Sequence, residues 1–208
     1  MTVNQTIRKL IVIALSFAPV LAAQERVITP SGRTVLLYPN GTWKYADSAA
    51  ATAPSAAERK RPATSTARLD LLRGKASLYY DATKWRVAPT TEPGRSQLQH
   101  VDGDGYAIVI AERLQMPLEG LRDLALNNAR NAAPDAQIVS QETRRVNGRD
   151  VMVLQIRGTL QAIRFVYLGY YYAGPEGTIQ LLTYTAANLF DEYKPQFEQL
   201  LDGLTINQ

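Results

Sequence analysis

The sequence has no cysteine and only one histidine, His100, among its 208 residues. Without thiols there can be no disulfide, thiolate zinc site, iron–sulfur cluster or cysteine nucleophile. A single imidazole cannot form a histidine metal cluster, and a Ser-His-Asp triad would have to use that one ring. The sequence also lacks a Gly-x-Ser-x-Gly motif and a phosphate-binding glycine loop. We therefore predict no catalytic residues, no metal site and no cofactor.

Net charge is low as well. Twenty-three Lys and Arg residues oppose nineteen Asp and Glu residues, which gives a formal net charge of +4. Nucleic-acid binding usually needs a concentrated basic patch, and this balance does not indicate one. Hydrophobic residues make up 46% of the chain, a value typical of globular proteins. We expect a folded domain without a nucleic-acid partner.

Residues 1–23 have the pattern of a secretory signal peptide. Two basic residues precede an apolar stretch, Leu10–Leu21, and small residues follow it. The stretch is shorter than the about 20 residues of a comfortable transmembrane helix, although an uncleaved anchor is an alternative. Cleavage is expected after Ala22 or Ala23. We predict a periplasmic or secreted protein with no stable membrane anchor after cleavage.

Residues 24–45 predict a small β-hairpin or three-stranded meander. Turn-forming residues occur at Pro30–Gly32 and Pro39–Gly41, and the second turn includes Asn-Gly, which tolerates positive φ. Trp43 and Tyr45 then alternate with polar residues as in a strand. So short an element cannot bury enough surface to be stable alone. It is expected to pack on the main domain, on another copy of the chain or on a partner.

Residues 46–67 are rich in Ala, Ser, Thr and Pro and contain no large apolar side chain. This composition predicts a flexible linker, which would raise the effective concentration of one contact once another has formed. A basic segment, Glu58–Arg61, lies within it. We expect that segment to be solvated, with weak contact to an anionic lipid or an acidic partner as the alternative.

Residues 68–208 are the predicted globular domain, of α+β class. Helices are expected from Pro117 to Asn131 and from Ala187 to Leu201, the second kinked or restarted at Pro195. Hairpin-length connections predict antiparallel strands, and apolar residues on both faces of the long strands predict a sheet covered on both sides. The predicted strands are 76–80, 85–87, 97–101, 106–113, 137–145, 151–159, 162–173, 178–185 and 204–206.

Five segments of this domain carry a resemblance to a known family: Ser77–Asp81, Lys84–Trp85, Val146–Arg149, Thr178–Thr185 and Phe197–Leu204. With the order of the elements, they resemble the PsbP-like α/β/α sandwich, which also includes the DcrB-like envelope lipoproteins. The resemblance covers about residues 69–206 and implies a non-enzymatic assembly or interaction factor. This chain lacks the lipid-bearing cysteine of the DcrB-like pattern and adds the hairpin that contains Trp43.

Two polar features of the sequence are candidate sites. Asp102–Gly105 looks like the start of an EF-hand loop, but the twelfth position, which should be a bidentate Glu, is Arg113. A hairpin turn is therefore the favoured interpretation. His100 lies just before this turn and could act as a general base, but no serine or acid stands at a motif spacing from it.

The tyrosines of the long strands are more distinctive. Alternation places Tyr170 and Tyr172 on one face of the strand and Tyr167 and Tyr171 on the other, with Tyr184 on the hairpin partner. Cross-strand packing explains such residues simply. The functional alternative is an aromatic recognition surface, since Tyr anchors interfaces well. The candidate interaction surface comprises Trp43, Tyr45, Tyr170 and Tyr172.

Three functional hypotheses follow. The first is an exported envelope protein that works by interaction or assembly without catalysis, with another envelope protein as its partner. The second is a small-molecule or envelope-polymer binding protein with an aromatic cleft. The third is a hydrolase that uses two carboxylates across a cleft. No oligomeric state is predicted.

Overall fold

The computed structural model describes residues 25–28, 34–37, 43–45 and 58–207. The chain divides into two compact units, with the boundary between Asp47 and Ser48. The predicted signal peptide and the first part of the predicted linker, residues 46–57, lie outside the described residues. Export, cleavage and linker flexibility there stay predictions.

The first unit contains three short strands, β1 (Glu25–Ile28), β2 (Thr34–Leu37) and β3 (Trp43–Tyr45). They pair antiparallel in the order β1-β2-β3, the three-stranded form of the expected meander. Val35 of the central strand is buried.

The second unit combines antiparallel strands with two described α-helices, which confirms the predicted α+β class. Its strands are β4 (Ala67–Leu71), β5 (Ala76–Tyr80), β6 (Trp85–Ala88), β7 (Arg95–His100), β8 (Tyr106–Glu112), β9 (Gln137–Val146), β10 (Arg149–Leu160), β11 (Ile163–Gly174), β12 (Gly177–Ala186) and β13 (Leu204–Ile206). Its helices are α1 (Leu118–Ala132) and α2 (Phe190–Leu201), and Leu72–Gly74 forms a short 3-10 turn.

Seven strands form the large sheet, in the order β6-β7-β8-β12-β11-β10-β9, and three form a smaller sheet, β13-β5-β4. Strands β9 to β12 are consecutive antiparallel hairpins. The turn between β9 and β10 is Asn147-Gly148, and both residues have positive φ (47° and 83°). Two positive φ values fit the right-handed twist of the flanking strands, which is why Asn-Gly suits this position.

A separate hydrophobic core lies on each face of the large sheet. On one face, α2 and the small sheet contribute Phe197 and Leu78 to a core that includes Tyr170 and Tyr172. On the other, α1 packs over Met152, Leu154, Ile156 and Tyr171. The alternation of the tyrosines was therefore predicted correctly.

Helix α2 is continuous through Pro195, where a kink or restart was expected. Proline removes one helical hydrogen bond, that to the carbonyl four residues earlier. The apolar stripe of α2 is nevertheless buried from Phe190 to Leu201, so packing on the sheet holds the helix together across this position. Neither helix of the described residues is long and apolar enough to cross a membrane.

Residues 58–67 differ from the linker expectation. The N–H of Arg59 donates to the carbonyl of Arg145 (2.8 Å), and the N–H of Asn147 donates to the carbonyl of Arg59 (3.0 Å). Arg59 thus forms a parallel bridge beside the end of β9, and β4 begins at Ala67. We call residues 58–61 the strap. Composition alone predicted solvation because the partners of the strap lie far away in sequence.

Asn147 joins the strap to the C-terminal part of the domain. Its amide nitrogen donates to the carbonyls of Asp202 (2.7 Å) and Leu204 (2.8 Å), and its amide oxygen accepts from the N–H of Arg61 (2.8 Å). One side chain therefore satisfies three backbone groups of segments that are not neighbours in sequence.

Asn147→Ala is expected to lower the free energy of unfolding by about 2–3 kcal/mol, because it removes these bonds and places a Cβ-bearing residue without a polar side chain at positive φ. Asn147→Gly removes the same bonds without the backbone strain and should be milder by about 1 kcal/mol. Urea unfolding of both variants measures the two contributions. If both variants lose the same free energy of unfolding, the positive φ at position 147 does not strain an alanine there.

Candidate interaction surface

The face of the large sheet that carries α1 is only partly covered. Helix α1 packs against β9, β10 and β11, and within the described part of the chain no helix packs in the same way over this side of β12, β8 and β7. Tyr171 and Met152, under the helix, are 2% and 4% exposed. Ile108 and Tyr184, beyond its edge, are partly exposed. About half of this face is therefore left uncovered by the helices of the described residues.

The uncovered half carries an apolar and aromatic group that we call the tyrosine platform. Strand pairing sets Tyr184 between Tyr167 and Tyr106, and Leu182 beside Ile108. All platform side chains are partly exposed. The platform consists of Tyr106, Ile108, Ile110, Tyr167, Leu182 and Tyr184.

The three platform tyrosines form one aromatic cluster. The rings of Tyr106 and Tyr184 stack with centroids 5.2 Å apart, and Tyr167 meets Tyr184 edge-on at 5.5 Å. Partial burial raises the pKa of Tyr167 and of Tyr184. The two hydroxyls therefore stay neutral at physiological pH and can donate or accept hydrogen bonds at the edge of an apolar surface.

A cleft of about 230 Å³ opens at one end of the platform. Platform tyrosines and the buried Phe165 form one wall, and the turn between β10 and β11 forms the other. Ile163 is 61% exposed and Leu160 is 45% exposed at that turn. These two are among the most exposed apolar side chains in the described residues, so the platform continues into an exposed apolar rim.

Tyr170 and Tyr172, half of the predicted interaction surface, lie in the core instead. Tyr170 is fully buried and Tyr172 is 6% exposed. The Tyr170 hydroxyl donates to Asp202 Oδ1 (2.8 Å) and accepts from Arg144 Nη1 (2.9 Å), and burial raises its pKa. The Tyr172 hydroxyl donates to Glu176 Oε2 (2.6 Å), and burial with this bond raises the pKa of Tyr172 to about 12. The structure thus places both rings in the core, under α2 and the small sheet.

The strap closes the region around Tyr170 with an ion-pair network. Arg59 Nε lies 3.0 Å from Asp202 Oδ2, and Arg59 Nη2 lies 3.0 Å from Glu198 Oε2. Arg144, which bonds to Tyr170, also pairs with Glu142. Burial raises the pKa of Asp202, while the hydrogen bond from Tyr170 and the two guanidinium groups act in the opposite direction. These charges are neutralised internally, which indicates a structural role.

The other half of the predicted interaction surface, Trp43 and Tyr45, lies on β3. The two residues pair with Leu37 and Val35, and their side chains are outside the described part of the structure. Their role in an interaction surface stays a prediction.

His100 is buried between aromatic rings. Its ring meets Trp85 edge-on at 5.1 Å and Tyr193 at 5.4 Å. Nδ1 accepts a long bond from the N–H of Asp102 (3.4 Å), and Nε2 has no hydrogen-bond partner among the described residues. The Asp102–Gly105 segment is a hairpin turn between β7 and β8, and no group of three metal-ligating side chains occurs in the described residues.

The sequence did not predict four of the platform residues as part of an interaction surface: Tyr106, Ile108, Ile110 and Leu182. The available signal was alternation: positions 106, 108 and 110 lie on one face of β8, and 182 and 184 on the same face of β12. What the sequence lacked was the position of α1, which decides whether that face is core or surface.

These elements define a three-layer α+β domain in which one face of the central sheet is incompletely covered. No family model and no curated protein matches the sequence.

Among solved structures, the fold is similar to that of cyanobacterial PsbP (CyanoP) from Synechocystis sp. PCC 6803, with 14% identity and a TM-score of 0.51. The match covers 69% of this chain and 93% of that one. A Pseudomonas aeruginosa protein of unknown function, described as a putative regulator, gives 12% identity, 68% and 97% coverage and a TM-score of 0.44. The likeness to CyanoP shows a PsbP-like fold, as the sequence predicted.

Proposed function

We propose that this protein is exported to the bacterial envelope and acts there without catalysis, by binding another envelope protein through the tyrosine platform. The observation that carries the proposal is the uncovered half of the sheet. Exposed, contiguous patches of aromatic and aliphatic side chains are typical of protein-binding sites. The sequence pattern of residues 1–23 supports export.

The chemistry of the remaining domain supports a non-catalytic role. Asp202, Glu198 and Glu142 are engaged by arginines, and His100 is enclosed by Trp85 and Tyr193. By contrast, the platform tyrosines are partly exposed and close together. Tyrosine combines a large apolar ring with one hydrogen-bonding atom and loses little conformational entropy when it binds.

Photo-crosslinking in living cells tests this proposal. Benzoylphenylalanine at position 184 is expected to give one adduct of defined mass with another envelope protein. Ile108→Lys on the same background should abolish the adduct, because it places a charge in the middle of the apolar platform. The position is partly exposed, so the variant should remain folded by circular dichroism.

Val139→Lys is the matched control. Val139 is a β-branched strand residue on β9, 43% exposed and outside the platform, so the adduct should persist in this variant. An adduct that survives Ile108→Lys, or that forms equally from a probe at position 139, would contradict binding through the platform.

A second function is favoured by the cleft beside Tyr167 and Phe165. Its volume of about 230 Å³ and its aromatic wall suit part of a sugar ring or a small apolar ligand. In that case a soluble envelope glycan fragment, titrated into the purified protein, would shift the NMR signals of Tyr106, Tyr167 and Tyr184. A protein-binding platform predicts no saturable shift with such fragments.

A further inference from the structure

A second cleft, of about 380 Å³, lies where β10 and β11 approach their shared turn. It opens on the side of the sheet opposite the tyrosine platform, since its wall includes Val166 of the core under α2. The segment that follows β12 contributes Asn188, and the start of β9 contributes Gln137. We call this site the arginine cleft, because Arg157 and Arg164 also line it.

The two arginines are held on one face of adjacent strands. Arg157 pairs with Val166, and Arg164 pairs with Thr159. They are therefore diagonal neighbours, with backbone positions about 7–8 Å apart. Both are exposed, and within the described residues neither guanidinium has an ion pair or hydrogen bond. Two like charges so placed repel each other unless an anion lies between them.

The other polar side chains that line the cleft either can donate hydrogen bonds or already accept one. Gln137 and Asn188 each present a side-chain amide with no hydrogen bond to the described residues. The one carboxylate is Asp135, whose Oδ1 accepts the N–H of Thr159 at 2.8 Å. Hydrogen bonds from Thr159 lower the pKa of Asp135. Asp135 thus fixes the wall of the cleft and forms no ion pair with either arginine.

We propose that the arginine cleft binds the phosphate group of a small phosphorylated compound or of a phospholipid headgroup. Guanidinium forks bind phosphate with two parallel hydrogen bonds each, and the two amides can serve remaining oxygens. The cleft exceeds the volume of one phosphate group, so the carrier of the phosphate has room along Val166.

Binding assays with the purified protein test this site. Glycerol phosphate, titrated by NMR at low salt, is expected to saturate and to shift the signals of Arg157, Arg164 and Gln137. Arg157→Gln and Arg164→Gln should each weaken binding about tenfold or more, because each removes a charged hydrogen-bonding fork. Arg86→Gln, an exposed strand arginine on the opposite edge of the sheet, removes the same charge and should leave binding unchanged.

Vesicles distinguish the two sources of phosphate. Binding to phosphatidylglycerol vesicles that is lost in Arg157→Gln, without binding of glycerol phosphate, assigns the site to a lipid headgroup. Saturable binding of glycerol phosphate assigns it to a soluble phosphate ester. Absence of both, or loss that is equal in Arg86→Gln and Arg157→Gln, overturns the proposal. The outcome is independent of the platform, whose crosslink should persist in Arg157→Gln.

Discussion

Gly203→Ala is expected to destabilise the domain by at least about 3 kcal/mol, beyond the usual range for overpacking. A Cβ at this position would lie 1.8 Å from the carbonyl oxygen of Tyr79 and 3.0 Å from that of Leu200. Both obstacles are backbone atoms, so no side-chain rotation can relieve the clash. Gly203 also accepts the N–H of Tyr79 (2.9 Å) and donates to Leu200 (3.0 Å), so its position is fixed between α2 and β5.

Gly74→Ala is the control for this prediction. Gly74 has φ of +82°, and a Cβ there would meet no heavy atom within 4 Å. Its replacement should therefore show only the strain of a positive φ, about 1–2 kcal/mol. Urea unfolding followed by circular dichroism measures both variants. If Gly203→Ala loses no more stability than Gly74→Ala, the approach of α2 to β5 is loose enough to admit a methyl group, which contradicts the prediction.

The strands and helices could be read from local signals. Asn147-Gly148 and Asp102–Gly105 mark hairpin turns because they supply the positive φ values or turn conformations that such turns need. The period of two along β11 separated Tyr170 from Tyr171 correctly, since strand geometry fixes that alternation. Strand β4, at Ala67–Leu71, was missed because its short pattern follows directly on a stretch with linker composition.

The contacts that join distant segments could not be read in this way. Arg59 and Asp202 are 143 residues apart along the chain, and composition placed Arg59 in a solvated linker. Their pairing depends on where α2 ends relative to the turn between β9 and β10. No local periodicity encodes that distance.

The burial of two residues of the predicted interaction surface, Tyr170 and Tyr172, could not be read from the sequence for a related reason. Alternation shows which side chains share a face, but it does not show which face a helix covers. Tyr170 and Tyr184 looked equivalent as strand tyrosines. The structure separates them, because α2 and the small sheet bury Tyr170, whereas α1 stops short of Tyr184.

Asp202→Ala is expected to lower the free energy of unfolding by about 2–4 kcal/mol. Asp202 is 6% exposed and accepts from the buried Tyr170 hydroxyl and from Arg59 Nε. Its removal leaves that hydroxyl without its acceptor, and leaves Arg59 and Arg144 facing each other with less negative charge between them. A buried polar group without a partner has lost its hydrogen bonds to water and gained none in return. The loss of stability in Asp202→Ala should therefore exceed the net contribution of a single hydrogen bond.

Asp150→Ala tests whether burial, rather than the ion pair itself, causes the loss. Asp150 also lies 3.0 Å from an arginine nitrogen, that of Arg145, but both side chains are about half exposed. Exposed pairs contribute about 0–1 kcal/mol, so this variant should unfold almost as the wild type does. Similar losses in Asp150→Ala and Asp202→Ala would contradict the argument from burial.

A double-mutant cycle of Arg59→Ala and Asp202→Ala measures how much their ion pair contributes to holding the strap. If Arg59 is held mainly by Asp202, then Arg59→Ala should add little to Asp202→Ala, and the coupling energy should be about 1–2 kcal/mol. If the two losses simply add, the backbone bonds of Arg59 with Arg145 and Asn147 hold the strap by themselves. In that case the ion pair shields Tyr170 without fixing residues 58–61, and the strap should stay protected from proteolysis in Asp202→Ala.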